Sequence, residues 1–357
     1  MLSPLKHIIV SGSPFERGTQ YGETLRHDIR DFLNDNIARI NSIRRNPFTL
    51  EEALGITDSH IPHIEACTPQ LAEEIKGLAQ GAGISYREGM LLQLRREIIA
   101  TGLECTAFAC FSQEGRAVIA QNVDLAGGMT DLGMILEVQT PGADPDLLMY
   151  THVGLIGYLG INSYGLGIGL NMVLSPGWRP GVPPYLLIRH LLHQPTLEKC
   201  EREIGRVRRA SSRNLLMTDG MRLVNVEMTV EHERSIEDSL LVHTNHYLHE
   251  DFIGCDLVNP NTSTYPRLKR AKDRLRQYGD RPAVWQMEEL LAYHESGPGN
   301  LCVHQDEDLS NVATIASVIL EPSTGRMRIC KGYPCTEPFY DYRIERSRMV
   351  CRNTLFN

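Results

Sequence analysis

At 357 residues the chain is long enough for one large domain or two smaller ones, and its 42% hydrophobic and 22% charged content suits a globular protein with a sizeable core. The formal net charge of -8, from 36 Lys and Arg against 44 Asp and Glu, lacks the basic excess of a nucleic-acid binder. No apolar run approaches the ~18 residues that cross a bilayer, the start offers only Ile8, Ile9 and Val10 in place of a secretory apolar region, and the closing NTLFN is no targeting tag; a cytoplasmic protein without a membrane partner is expected.

In chain order, Ile8–Val10 reads as a short strand. Ser13, Pro14 and Glu16 then open a helix through a capping box with proline at the first helical position. Leu25, Ile29, Phe32, Leu33, Ile37 and Ile40 continue it at helical spacing. A second helix starts at Thr68-Pro69, carries Leu71, Ile75 and Leu78, and is expected to stop at Gly81; a third opens on Ser85-x-x-Glu88 and carries Met90, Leu91, Leu94 and Ile98. Residues 11 to about 100 are thus mostly helical.

The texture changes at Cys105. CTAFACFS and AVIAQNVD are β-prone runs, followed by LGMILEVQT, LLMYTHVG, IGYLGIN, LGIGLNMV, NLLMTDG, MRLVNVEMT, VATIASVILEP and RMRICKG. Helical patterns interrupt them at about 183–207, 265–278 and 285–293, so the chain is α+β with a helical front and a sheet-rich body. The first two runs form a hairpin. A two-residue turn at Glu114-Gly115 would place Phe111 opposite Val118 and Cys105 opposite Asp124, with Asn122 on the same face. A thiol and a carboxylate would then be cross-strand neighbours; a slip of one residue would undo this. The nine cysteines form no C-x-x-C pair, and most read as reduced, buried thiols.

GSPFERGTQYG, LAQGAGIS, ECTAFA, AQNVDL, GYLGINSYGLGIGLNMV, RPGVPPYLLIR, VHTNHYL and LSNVATIASVIL follow one another in an order that resembles the acyl-coenzyme A:6-aminopenicillanic-acid acyltransferases (isopenicillin N acyltransferases) and their β-alanyl-amine (carcinine) hydrolase relatives, over nearly the whole chain. The resemblance implies a four-layer αββα N-terminal nucleophile hydrolase fold. It implies a zymogen that cuts its own backbone between Glu104 and Cys105, leaving residues 1–104 as a helical pro-segment or small chain bound to a 105–357 catalytic core. It further implies Cys105 as nucleophile, acting through a thioester with its own α-amine as base, Asp124 as the residue holding that amine, and Asn245 as the oxyanion donor. Asn122, Asn171 and Asn311 are secondary donors by the same resemblance. No cofactor or metal is expected. The partners are a small amide or thioester substrate, acyl-coenzyme A among the donors admitted, and the chain's own N-terminal fragment; a homo-oligomer is left open.

Two positions depart from that pattern. Glu104 stands where the acyltransferases have glycine, which would ease the backbone distortion of an acyl shift. Ser310-Asn311 stands where they have Ser-Arg, so a cation is missing. Hydrolysis is favoured over transfer because nothing in the sequence specifically marks a coenzyme A site, and the pocket loops are expected near 125–131 and 172–183. Two other readings remain: a non-processing member that acts as a binding protein, and a papain-like Cys/His hydrolase, for which no local signature is found. His243, His246 and His249 in HTNHYLH read better as a strand end and loop than as a metal patch. GLGIGL reads as close-packed strand rather than phosphate loop, and RLKRAKDRLRQ (267–277) as a solvated helix face.

Overall fold

A computed structural model describes residues 5–42, 47–99, 105–258, 262–295, 297–305, 312–345 and 348. Strand β1 (Lys6–Ser11) precedes helices α1 (Pro14–Thr24), α2 (Arg26–Ser42), α3 (Leu50–Cys67), α4 (Pro69–Ala82) and α5 (Tyr86–Ile99). Strands β2 (Cys105–Phe111), β3 (Ala117–Ala126), β4 (Gly133–Gln139), β5 (Leu147–His152), β6 (Leu159–Asn162) and β7 (Gly167–Asn171) follow. Next come α6 (Pro184–Leu192), α7 (Leu197–Arg206), β8 (Arg213–Thr218), β9 (Leu223–Met228), β10 (Glu233–Glu237) and β11 (Leu240–His243). The chain closes on α8 (Thr264–Tyr278), α9 (Val284–Leu291), β12 (Val312–Glu321), β13 (Arg326–Lys331) and β14 (Phe339–Arg343).

Among the described residues the strands form an eight-stranded sheet, β1-β4-β5-β6-β7-β8-β9-β10, and a six-stranded sheet, β11-β2-β3-β12-β13-β14. The two meet face to face, with β2 and β3 against β7 and β8 and with β12 against β6. Helix α1 packs on β1 and α6 on β6 and β7 at one outer face, while α8 packs on β11 and α9 on β3 at the other. The result is the expected α+β, four-layer αββα arrangement. Strand alternation explains it: Ala107, Ala109, Ile119 and Val123 point into the inter-sheet core, whereas Phe108, Cys110, Val118 and Ala120 point under α8 and α9.

Gly167 and Gly169 of GLGIGL lie in β7, in this interior as expected, while Gly165 sits in the preceding turn at φ 87°. A Cβ on Gly169 would stand 3.0 Å from Gln121 Oε1 and 3.1 Å from Ile119 Cγ2. The missing side chain lets Gln121 of β3 accept from Leu170 N–H at 2.9 Å and donate to Leu170 C=O at 2.7 Å, so a buried carboxamide stitches one sheet to the other.

The N-terminal region is mostly helical, as read, with differences at the ends. The long helix expected from Pro14 is two, α1 and α2, and α4 runs to Ala82, where Gly83 takes the left-handed conformation at φ 66° in place of a stop at Gly81. Strand β1 pairs with β4 in parallel, so residues before 104 complete a sheet of the body and share its core.

The hairpin register needs correction. Ser112 N–H donates to Arg116 C=O and Gly115 N–H to Ser112 C=O, with Gly115 at φ 74°, so the loop has three residues, Gln113 to Gly115. Phe111 accordingly faces Ala117, and Cys105 faces Val123 instead of Asp124. One extra loop residue turns Asp124 and Asn122 to the face opposite Cys105.

Candidate active site

Cys105 opens a strand whose neighbour on one side runs out. Strand β11 pairs with β2 only as far as His243 opposite Ala107, after which the chain turns away through Thr244 and Asn245. A buried residue two positions beyond that last pair needs other partners for its peptide groups. Cys105 N–H donates to Asn245 Oδ1 at 3.0 Å, and its C=O accepts from Arg267 Nη1 at 2.8 Å and from Asn171 Nδ2 at 3.4 Å. Side chains thus hold a backbone position that a sheet ladder would otherwise occupy.

Arg267 organises this cluster. It is fully buried on α8, in the inward stripe Thr264, Arg267, Ala271 and Leu275. Its guanidinium also donates to Thr106 Oγ1 at 2.8 Å and to Asn245 Oδ1 at 2.8 Å. A guanidinium only donates, so its presence fixes Oδ1 of the Asn245 carboxamide as the atom that accepts from Cys105 N–H and leaves Nδ2 as the donor. That nitrogen donates to Met172 C=O at 3.0 Å, and Asn245 N–H donates to Thr264 Oγ1 at 2.8 Å. The reading of 267–277 as a solvated face is corrected at Arg267.

Cys105 is buried, with 4% of the residue exposed. Burial and, next, the charge of Asp124 push its thiol up to about 12, against the opposing effects of the Asp124 N–H bonded to sulfur and of the Arg267 and Arg96 charges. Asp124 therefore meets Cys105 through its amide, while its carboxylate Oδ1 accepts from Thr314 Oγ1 at 2.6 Å on the other face. Asn122 also lies there: its nitrogen donates to Leu291 C=O at 2.9 Å and Leu301 C=O at 2.7 Å, and its oxygen accepts from Ser317. Asn122 pins the outer layer and is not brought to the thiol. Asn171 reaches the Cys105 carbonyl rather than the thiol, and Asn214 donates to its Oδ1 at 3.2 Å. Glu104 and Asn311 lie outside the described residues.

The HTNHYLH segment is a strand end and loop, as expected. His243, at the end of β11, bonds Glu227 at 2.9 Å, and both are fully buried. Glu227 also accepts from the N–H groups of Leu248 and His249 at 2.6 and 3.0 Å. Burial alone would raise its carboxyl, but His243 and these amides hold it below the ordinary value. Asn245 is thereby fixed between two anchors, one on each side of it in sequence. Glu227 and Thr314 were not singled out in the sequence, since both sit inside ordinary strand runs.

The model of the family described as acyl-coenzyme A:6-aminopenicillanic acid acyl-transferase matches residues 111–335. The chain is 24% identical over 342 residues to the acyl-coenzyme A:6-aminopenicillanic-acid-acyltransferase 40 kDa form of Emericella nidulans, covering 92% of this chain and 93% of that one. Similar solved structures include penicillin V acylase from Agrobacterium tumefaciens (13% identity, TM-score 0.47, 68% of this chain and 87% of that one). Another is a variant of conjugated bile acid hydrolase from Clostridium perfringens (10% identity, TM-score 0.46, 70% and 100%). With more than half its length matched by the family model, the chain belongs to the acyl-coenzyme A:6-aminopenicillanic acid acyl-transferase family.

Proposed function

We propose that this chain, an enzyme of acyl-group chemistry at amide bonds, is a self-processing cysteine hydrolase in which Cys105 becomes an N-terminal nucleophile. The observation that carries this reading is the treatment of Cys105: amide, carbonyl and sulfur are each held by a different polar group at a buried strand start. In the precursor, Sγ attacks the Glu104 carbonyl. The C–N bond breaks, the departing nitrogen takes up a proton, and a thioester joins Glu104 to Cys105. Water hydrolyses it, releasing the Glu104 carboxylate, the thiol and a free α-amine. That amine has an ordinary pKa of about 8, which suits a general base near neutral pH.

In the mature enzyme the amine takes the thiol proton as sulfur attacks a substrate carbonyl, and returns it to the leaving amine. Asn245 Nδ2 spends one N–H on Met172 C=O and offers the other to the oxyanion. The Asp124 amide supports the thiolate; with the Asp124 carboxylate turned to Thr314, the freed amine is held instead by Asn245 Oδ1, which accepts from Cys105 N–H at 3.0 Å. Water then releases the acyl group. The substrate is a small amide, with a thioester such as acyl-coenzyme A as an alternative acyl donor. Cytoplasmic residence fits the eight described free thiols. The test is a screen of amide and thioester donors against the processed protein, read by mass spectrometry. A thioester on Cys105 supports the proposal, whereas a processed protein that no donor acylates refutes it.

A further inference from the structure

Away from Cys105 the fold assembles a second sulfur site. Cys302, His304 and Cys335 bring Sγ, a ring nitrogen and Sγ within 4.8 Å of one another, the single such group among the described residues. Cys302 Sγ lies 3.6 Å from Cys335 Sγ, and Cys335 Sγ lies 3.1 Å from His304 Nε2. Zinc bonds of ~2.3 Å to sulfur and ~2.0–2.1 Å to nitrogen give tetrahedral edges of about 3.8 Å for S–S and about 3.6 Å for S–N. These two separations are within about half an ångström of those edges, and the Cys302–His304 pair lies within 4.8 Å.

The surroundings hold the three donors in place. The His304 ring is sandwiched between His294, at 4.0 Å, and Tyr333, at 4.1 Å. Cys302 N–H donates to Tyr293 C=O at 3.0 Å, and a His294 ring nitrogen lies 3.2 Å from Cys302 C=O. Cys302 is buried, His304 half-buried and Cys335 exposed, so an ion can enter from solvent and keep a water as fourth ligand. The middle residue of the ligand pair, Val303, donates its N–H to Thr314 Oγ1 at 2.8 Å, and Thr314 donates in turn to Asp124.

We propose that Cys302, His304 and Cys335 form a binding site for a thiophilic divalent ion, zinc first, which fastens the 301–305 segment to the loop at 333–335. Two thiolates and one neutral imidazole suit zinc, and binding releases the two thiol protons. The site stands independently of the chemistry assigned to Cys105.

The experiment uses full-length protein stripped by a chelator in a non-thiol reductant and titrated with cobalt(II), then zinc(II). Expected are one equivalent of cobalt with thiolate-to-cobalt charge-transfer absorption and tetrahedral visible bands, displacement by zinc, and a higher melting temperature with zinc. Cys335→Ser and His304→Ala should each weaken binding by at least ~100-fold, while Cys255→Ser, at an exposed thiol elsewhere, should leave it unchanged. The proposal is overturned if the reduced protein takes up no metal, if uptake survives both ligand variants, or if the cobalt complex lacks thiolate absorption. It is equally overturned if the two cysteines are found only as a disulfide and metal does not bind after reduction.

Discussion

Arg267 shows what one residue can conceal. In RLKRAKDRLRQ it is one basic residue among several, and the overall charge of the run reads as solvent-facing. The signal was present in the spacing, because Thr264, Arg267, Ala271 and Leu275 share one helix stripe, and a charge in an apolar stripe calls for a buried partner. Arg267→Lys loses the fork that bonds Cys105, Thr106 and Asn245 together, so kcat is expected to fall about 10–100-fold, the worth of a charge-assisted hydrogen bond. Asn245→Ala should cost about 10²–10³ in kcat as an oxyanion donor is lost. Steady-state kinetics on folded, processed protein separate the two. The thiol gives a third expectation. With its pKa raised to about 12, first by burial and then by Asp124, the precursor's thiolate fraction grows about tenfold per pH unit below that value. Cleavage of a refolded precursor should accelerate accordingly between about pH 7 and pH 9, and Asp124→Asn, by removing the nearby charge, should move the profile to lower pH. A flat profile would exclude thiolate attack as the limiting step.

At the scale of elements, the signals that survived folding were local ones. The capping boxes at Ser13/Glu16 and Ser85/Glu88 are present, as Ser13 N–H to Glu16 at 2.8 Å and Ser85 N–H to Glu88 at 2.7 Å. Helix α3 was not resolved from its surroundings in the sequence because Pro62 interrupts its pattern, although a Thr49/Glu52 box starts it. Strands β10, β11 and β14 are four or five residues long and half exposed in part, too short for alternation to speak. The hairpin failed for a different reason: the choice between a two- and a three-residue loop rests on where Gly115 sits in the turn, and the outcome inverts both faces of β3. Helices α1 and α4 cross with glycines on both sides. A Cβ on Gly18 would stand 1.9 Å from Glu74 C=O, on Gly22 2.3 Å from Leu78 C=O, and on Gly77 2.0 Å from Phe15 C=O. The obstacle is backbone and cannot swing aside, so Gly18→Ala should cost at least ~3 kcal/mol, the upper end of overpacking. Gly55→Ala in α3 meets nothing within 4 Å and should stabilise by ~0.5–1 kcal/mol. Denaturant titration of both variants checks the pair.

For the molecule as a whole, buried hydrogen bonds tie the N-terminal helices to the sheet-rich body. Tyr21 of α1 donates to Leu155 C=O at 3.1 Å, and Gln93 of α5 donates to Gly154 C=O at 2.7 Å. Glu74 of α4, almost fully buried, accepts from Arg189 of α6 at 2.9 and 3.0 Å and from Arg17 of α1 at 3.3 Å. Removing the carboxylate leaves buried guanidinium charges uncompensated, so Glu74→Ala should cost ~3–5 kcal/mol and allow the two pieces of a cleaved chain to separate on gel filtration where the unaltered protein elutes as one. These contacts were beyond the reach of sequence, since each joins residues about 60 or more positions apart through partners that only the fold selects. No described helix is long and apolar enough to cross a membrane. The most direct measurement is N-terminal sequencing, with intact mass, of active protein and of Cys105→Ala. The expected result is a polypeptide beginning at Cys105 alongside one ending at Glu104 in the active protein, and an uncut Cys105→Ala chain. Full activity from an uncut chain, or a new terminus at any other residue, would contradict it.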